Sequence, residues 1–124
     1  MDTKEVALKL VEHCKKGEFI QAMEALYSKD IASVEPIAIG DMPAETQGIE
    51  AVLGKGKWWT ENHEIHSMVT EGPYVHGDQF AVTFSMHVTN KPTGQRHKGT
   101  EVAVYTVSNG KVVREEFFYG VPAK

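Results

Sequence analysis

Three glutamates carry the chemistry that this chain could perform. Glu35 closes a short extended segment, while Glu101 and Glu115 fall on two neighbouring stretches with strand alternation. A carboxyl group set in an apolar wall loses the water that stabilises its charge. Its pKa then climbs toward neutrality, where it can take up and return a proton. Two carboxylates on one such wall raise one member of the pair further. His66 and Tyr105 are the groups that could polarise a substrate oxygen beside them, and Trp58, Trp59, Val82, Phe84, Met86, Phe117 and Tyr119 would form the ligand-binding surface. The plainer readings are a solvated Glu35 paired with a lysine, and a Glu101 or Glu115 at the pocket mouth paired with Lys98 or Lys111.

Other chemistries find no footing. His63-Glu64-Ile65-His66 falls one residue short of the zinc-binding HExxH pattern, and histidines three apart at a helix-to-strand junction share no face, so no metal is expected. There is no nucleophile elbow, no Ser-His-Asp order, no phosphate-cradling glycine loop and no dinucleotide fingerprint. No cofactor is therefore expected. Cys14 is the single cysteine, which rules out an intrachain disulfide, and its place on the buried side of the first helix makes it a packing thiol.

Charge points away from nucleic acid. The chain has 17 acidic and 13 basic residues, a net charge of -4, and its lysines and arginines form no basic stripe. Its start, Met1 to Lys4, lacks the layout of a signal peptide, and no apolar run approaches the roughly 20 residues that span a bilayer. The expectation is a cytoplasmic protein with no membrane partner. Its 124 residues fit one domain over 1–124, large enough for a real core without disulfides.

The elements that must position the glutamates change character midway. Val6, Leu8, Leu10 and Val11 predict a first helix stopped at Gly17, and Phe19, Ala22, Met23 and Leu26 a second, spaced for one face. Ile31 to Pro36 reads as a short strand, Gly40 to Gly48 as a loop, and Gln47 to Asn62 as a third helix with a middle weakened by Gly54 and Gly56. Then the period becomes two: His66 to Glu71, ended by Gly72-Pro73; Phe80 to Val88; Glu101 to Val107; and Lys111 to Tyr119. Helices followed by strands predict a segregated α+β fold.

Strand parity assigns the walls. Phe80, Val82, Phe84, Met86 and Val88 should face the helices. Reading Ser108-Asn109-Gly110 as a three-residue turn puts Glu101, Ala103 and Tyr105 on the same face as Glu115. A two-residue turn would reverse that relationship. The outer face then holds Ala81, Thr83, Ser85, Val102, Val104, Val112 and Phe118, a mix suited to a symmetric dimer.

This order resembles the cone-shaped fold of the nuclear-transport-factor-2-like superfamily, and within it the SnoaL-like and ketosteroid-isomerase-like small proteins. The resemblance rests on the joint Lys15-Lys16-Gly17-Glu18, on Asp30-Ile31-Ala32-Ser33-Val34-Glu35-Pro36 and on Gln47-Gly48-Ile49-Glu50-Ala51. Asn109-Gly110-Lys111-Val112-Val113, with the ending Phe117-Phe118-Tyr119, completes it. It implies three N-terminal helices packed on a curved antiparallel sheet that encloses an apolar pocket, and pairing of two subunits through the convex face. It also implies that the Gly110-Lys111-Val112 turn sets Val113, Glu115, Phe117 and Tyr119 inward, and that Glu35, followed by a proline, stands where ketosteroid isomerases carry their general-base aspartate. Their oxyanion tyrosine and aspartate positions fall near Leu10 and Ala103, neither of which can donate a hydrogen bond; Tyr105, or a protonated Glu101 or Glu115, would have to substitute.

Two functions follow from different classes. One is a cofactor-independent isomerase, cyclase or dehydratase moving a proton on a small apolar carbonyl compound. The other is a noncatalytic binder of a small hydrophobic molecule, or a dimeric interaction module. The fold alone does not choose between them.

Overall fold

In the computed structural model, which describes residues 1–120, the chain forms two helices, two strands, a third helix and then four further strands. Helix α1 spans Thr3–Lys15. It opens on a capping box in which Asp2 accepts from the Glu5 backbone N–H and the Glu5 side chain accepts from the Asp2 N–H, satisfying donors that a helix start otherwise leaves unpaired. It closes where Gly17, with φ of +74°, lets the Gly17 and Glu18 N–H groups return to the carbonyls of Cys14 and His13. Its buried stripe is Val6, Ala7, Leu10, Val11 and Cys14, and it packs across the long strands of the sheet's second half. Burial pushes the Cys14 thiol up to about 12, so it is inert packing.

Helix α2, Phe19–Leu26, runs directly into strand β1, Tyr27–Val34. Strand β2 is only Glu45–Gln47, within the stretch expected to be a loop. Helix α3, Ile49–Asn62, is continuous through both of its glycines. Gly56 has a packing reason: a Cβ there would sit 3.0 Å from the Met23 terminal methyl and 3.2 Å from Ile20, so its bareness lets α2 approach.

Strands β3 (His63–His76), β4 (Gln79–Asn90), β5 (Arg96–Ser108) and β6 (Lys111–Phe118) complete one sheet of six in the order β2-β1-β6-β5-β4-β3. The sheet is curved and does not close. Two expectations need correction. Gly72-Pro73 does not end β3; the strand continues to His76 across a register shift between Glu71 and Tyr74. Nor is the sheet wholly antiparallel, because β1 and β6 pair parallel.

The hairpin between β5 and β6 corrects the parity argument twice. Asn109 and Gly110 take φ of +51° and +75°, and Ser108 pairs with Lys111, a two-residue turn of the primed kind. That turn alone would have sent Glu115 outward. The register then shifts once, because Val107 pairs with Val112 and Thr106 with Arg114, leaving Val113 as an extra, bulged residue. Val112, expected on the outer face, is fully buried in the core, and Glu115 is restored to the inner face.

The core joins α1 to the inner sheet: Leu10, Leu26, Ile31, Val52, Phe80, Val82, Phe84, Ala103 and Tyr105 are all buried. Val82 and Phe84, expected on a pocket wall, are closely packed here, with Met86 and Phe117 against the edge of the cluster. Phe80 and Tyr105 stack with ring centroids 4.8 Å apart.

Candidate active site

The site grows from the parallel seam between β1 and β6. On β1 the inward positions are Tyr27, Ile31 and Ser33, all buried, and Glu35 continues the same parity one residue beyond the strand. Its backbone N–H donates to the Ala44 carbonyl at 2.8 Å, which fixes the chain ahead of Pro36. Opposite, Ser33 pairs with Glu115 across the seam and Tyr105 pairs with Glu115 across β5. The carboxylates thus converge because parity on three strands agrees.

Glu115 is 2% exposed and lies wholly within the protein. Tyr27 donates its hydroxyl to Oε1, and Ser33 donates Oγ–H to Oε2 at 2.7 Å. Burial raises the Glu115 pKa, while those two hydrogen bonds and the charge of Lys55 oppose the rise and Glu35 adds to it. Tyr27 and Tyr105 are raised well above the ordinary phenol, first by burial and then by the Glu115 charge. Both therefore stay protonated, and Tyr27 serves as a donor to Glu115.

Glu35 is held at both oxygens. Lys55 Nζ lies 2.6 Å from Oε2, and the Tyr119 hydroxyl donates to Oε1 at 2.7 Å. Lys55 also donates to Ser33 Oγ at 2.8 Å, so one chain of contacts runs Tyr27, Glu115, Ser33, Lys55, Glu35, Tyr119. The Phe117 ring lies beneath the ammonium, 5.3 Å from centroid to Nζ. Tyr119 is raised by burial first and then by its bond to Glu35.

Glu101 completes the trio. Burial, then the charges of Glu35 and Glu115, push its carboxyl up to about 7, with Lys55 pulling the other way. The buried Glu115 beside it makes ionising Glu101 costlier still. The cluster therefore retains a proton near neutral pH, with Glu101 poised to exchange it.

Two open concavities reach this cluster from outside. One, of about 200 Å³, is lined by Val34, Glu35, Pro36, Glu116, Phe117, Phe118 and Tyr119. The other, of about 430 Å³, takes in Lys55 and Trp58 with Met42 and Pro43. Lys55 lines the larger and Glu35 the smaller, and the two side chains are 2.6 Å apart.

Of the residues singled out from sequence, Glu35, Glu101, Glu115, Tyr105, Phe117 and Tyr119 come together here. His66 does not: it is exposed, its Nε2 2.6 Å from Thr89 Oγ1 and its ring 4.9 Å from that of His87. Trp58 is 42% exposed, and Trp59 stacks on His63 at 4.4 Å. Among the described residues, no group of His, Cys, Asp or Glu is arranged to hold a metal ion, and no helix is long and apolar enough to cross a membrane. The sequence reading missed Lys55, Ser33 and Tyr27. Lys55 was visible in principle: three residues after buried Val52 and four before Trp59, it is a cation on the apolar stripe of α3.

The sequence profile of the SnoaL-like domain family matches residues 1–119, and the chain belongs to that family, within the nuclear-transport-factor-2-like superfamily. It is similar to a candidate SnoaL-like polyketide cyclase from Mesorhizobium loti, with 44% identity and a TM-score of 0.90 over 96% of this chain and 100% of that one. It is also similar in fold to a candidate SnoaL-like polyketide cyclase from Jannaschia sp. CCS1, at 18% identity and a TM-score of 0.72 over 94% and 83% of the two chains. TerC, crystallised with polyporic acid, matches at 16% identity and a TM-score of 0.74 over 95% and 91%. No protein of curated function matches.

Proposed function

We propose that this protein is a cofactor-independent enzyme of the SnoaL-like type, an isomerase, cyclase or dehydratase that moves a proton on a small, largely apolar carbonyl compound. Glu35 is the base. It takes the proton from the carbon beside the carbonyl, while Glu101, with its pKa near 7, returns a proton elsewhere on the substrate. Tyr105 and Glu115 set the field of the inner wall. The observation that carries this reading is the Glu35 carboxylate on the wall of an open concavity, oriented through both oxygens by Lys55 and Tyr119. The plainer reading of Glu35 has its lysine partner here but not its solvation, since the carboxylate side chain is only 10% exposed.

The test needs no knowledge of the natural substrate. Deuterium uptake from heavy water into a panel of cyclic and aromatic 1,3-diketones, followed by NMR, reads proton transfer directly. Glu35→Gln should slow protein-catalysed uptake by roughly 100-fold or more, the usual contribution of a positioned base. Uptake unchanged by that substitution would end the assignment.

A second reading is supported by the larger concavity, whose lining of Met42, Pro43, Ala51, Gly54 and Trp58 is mostly apolar. There the protein would bind a small hydrophobic molecule without transforming it, and ligand uptake in native mass spectra would survive Glu35→Gln. In either case we propose a homodimer formed through the outer sheet face, where Val69 and Phe118 are exposed. Sedimentation equilibrium would test it.

A further inference from the structure

We propose that Lys55 binds the substrate oxygen, so that the site selects carbonyl compounds whose oxygen becomes anionic as the proton leaves. The inference rests on the reading of Glu35 as the base and assigns what that reading lacks, a group to receive the negative charge. An ammonium has three N–H donors. Ser33 Oγ at 2.8 Å and Glu35 Oε2 at 2.6 Å take two of them, and among the described residues nothing takes the third.

The placement is costly without a role. A lysine side chain only 14% exposed has given up most of its hydration, and an apolar residue on that stripe of α3 would pack there without this cost. Among the described residues, Lys55 is also the one cation whose charge reaches both Glu101 and Glu115. Lys55 lines the larger concavity and Glu35 the smaller. A carbonyl compound lodged at the pair therefore meets the ammonium with its oxygen and the carboxylate with its α-carbon.

The step balances without any co-reactant. The C–H bond beside the carbonyl breaks and its proton passes to Glu35. The electron pair forms a C=C bond, and the carbonyl oxygen becomes an enolate oxygen bound by Lys55. As Glu35 becomes neutral it loosens its hold on the ammonium. The lysine's charge thus transfers from carboxylate to enolate within the same step.

A phenolate imitates an enolate oxygen without reacting. The probe is 4-nitrophenol, whose absorbance separates phenol from phenolate. Because Lys55→Met alone leaves Glu35 buried without its partner and could unfold the chain, the comparison is between Glu35→Gln and the double variant E35Q/K55M. We expect E35Q to bind the phenolate form, with the bound probe ionising at lower pH than in solution. The double variant should bind it roughly 10- to 100-fold more weakly, the loss of one charge-assisted hydrogen bond. Equal binding by the two variants, or no phenolate binding by either the wild type or E35Q, would overturn the assignment of Lys55. Neither result bears on deuterium uptake, so this inference and the role of Glu35 can fail separately.

Discussion

Lys55 Nζ lies 2.6 Å from Glu35 Oε2, in an ion pair whose side chains are only 14% and 10% exposed. A pair so enclosed is defined more by what happens when one half is removed than by its own net stability.

Lys55→Met should therefore destabilise the fold by about 3–5 kcal/mol, because it strands a carboxylate away from water. The double variant E35Q/K55M should recover most of that loss. Urea unfolding of the two variants checks it, and a single variant as stable as the wild type would refute the enclosed pair.

Glu101 makes stability depend on pH with a definite sign. Its folded pKa of about 7 lies above the ordinary 4.5, so between those values the folded chain holds a proton that the unfolded chain has released. The stabilisation is full below about 4.5 and is lost as the pH rises through about 7. Buried Glu115, also raised, acts in the same direction. Urea midpoints measured across this window should fall with rising pH, and Glu101→Gln should flatten the slope.

Tyr27→Phe removes a single buried hydroxyl and leaves Glu115 Oε1 without its donor. The expected cost is about 1–3 kcal/mol, with Glu115 pushed further toward its neutral form. Ser33→Ala should show a similar cost from the other oxygen. Thermal unfolding distinguishes these from a surface change, which would cost almost nothing.

Deleting Val113 tests the register of the sheet. Without the bulged residue, Val107 still pairs with Val112, Thr106 with Arg114 and Tyr105 with Glu115, now in consecutive positions, so Glu115 keeps its inward place. The deletion variant should therefore still unfold cooperatively on heating. Loss of cooperative thermal unfolding would show that the bulge does more than add one residue to the strand.

The alternation of Phe80 to Val88 and the helical spacing of Phe19 to Leu26 left little doubt in the sequence about the elements, because periodicity reports which face is buried. The inward set of Glu101, Tyr105 and Glu115 was also legible, though through two errors that cancelled: a turn one residue too long and a bulge unseen. Bulges leave no periodic trace, since one extra residue resembles any other. Lys55 and Tyr27 escaped for a different reason. A charged residue in an apolar stripe and an aromatic residue at a helix-to-strand junction read as noise until the partner they meet, 20 residues away for Lys55 and 88 for Tyr27, is known. The pocket was overdrawn because alternation shows that Val82 and Phe84 face inward but not whether another side chain fills the space before them.

The seam between β1 and β6 has a consequence for the order in which the molecule becomes competent. Ser33 reaches Glu115 across 82 residues, Glu35 reaches Tyr119 across 84, and Tyr27 reaches Glu115 across 88. Contacts of such separation close late, after the local helices and hairpins have formed. On the ribosome, α1, α2 and the β3–β4 hairpin can be structured while the cluster still lacks half its members. The cluster is therefore completed with β6, in one step, and local fraying of that strand would take it apart while leaving most of the helical signal intact.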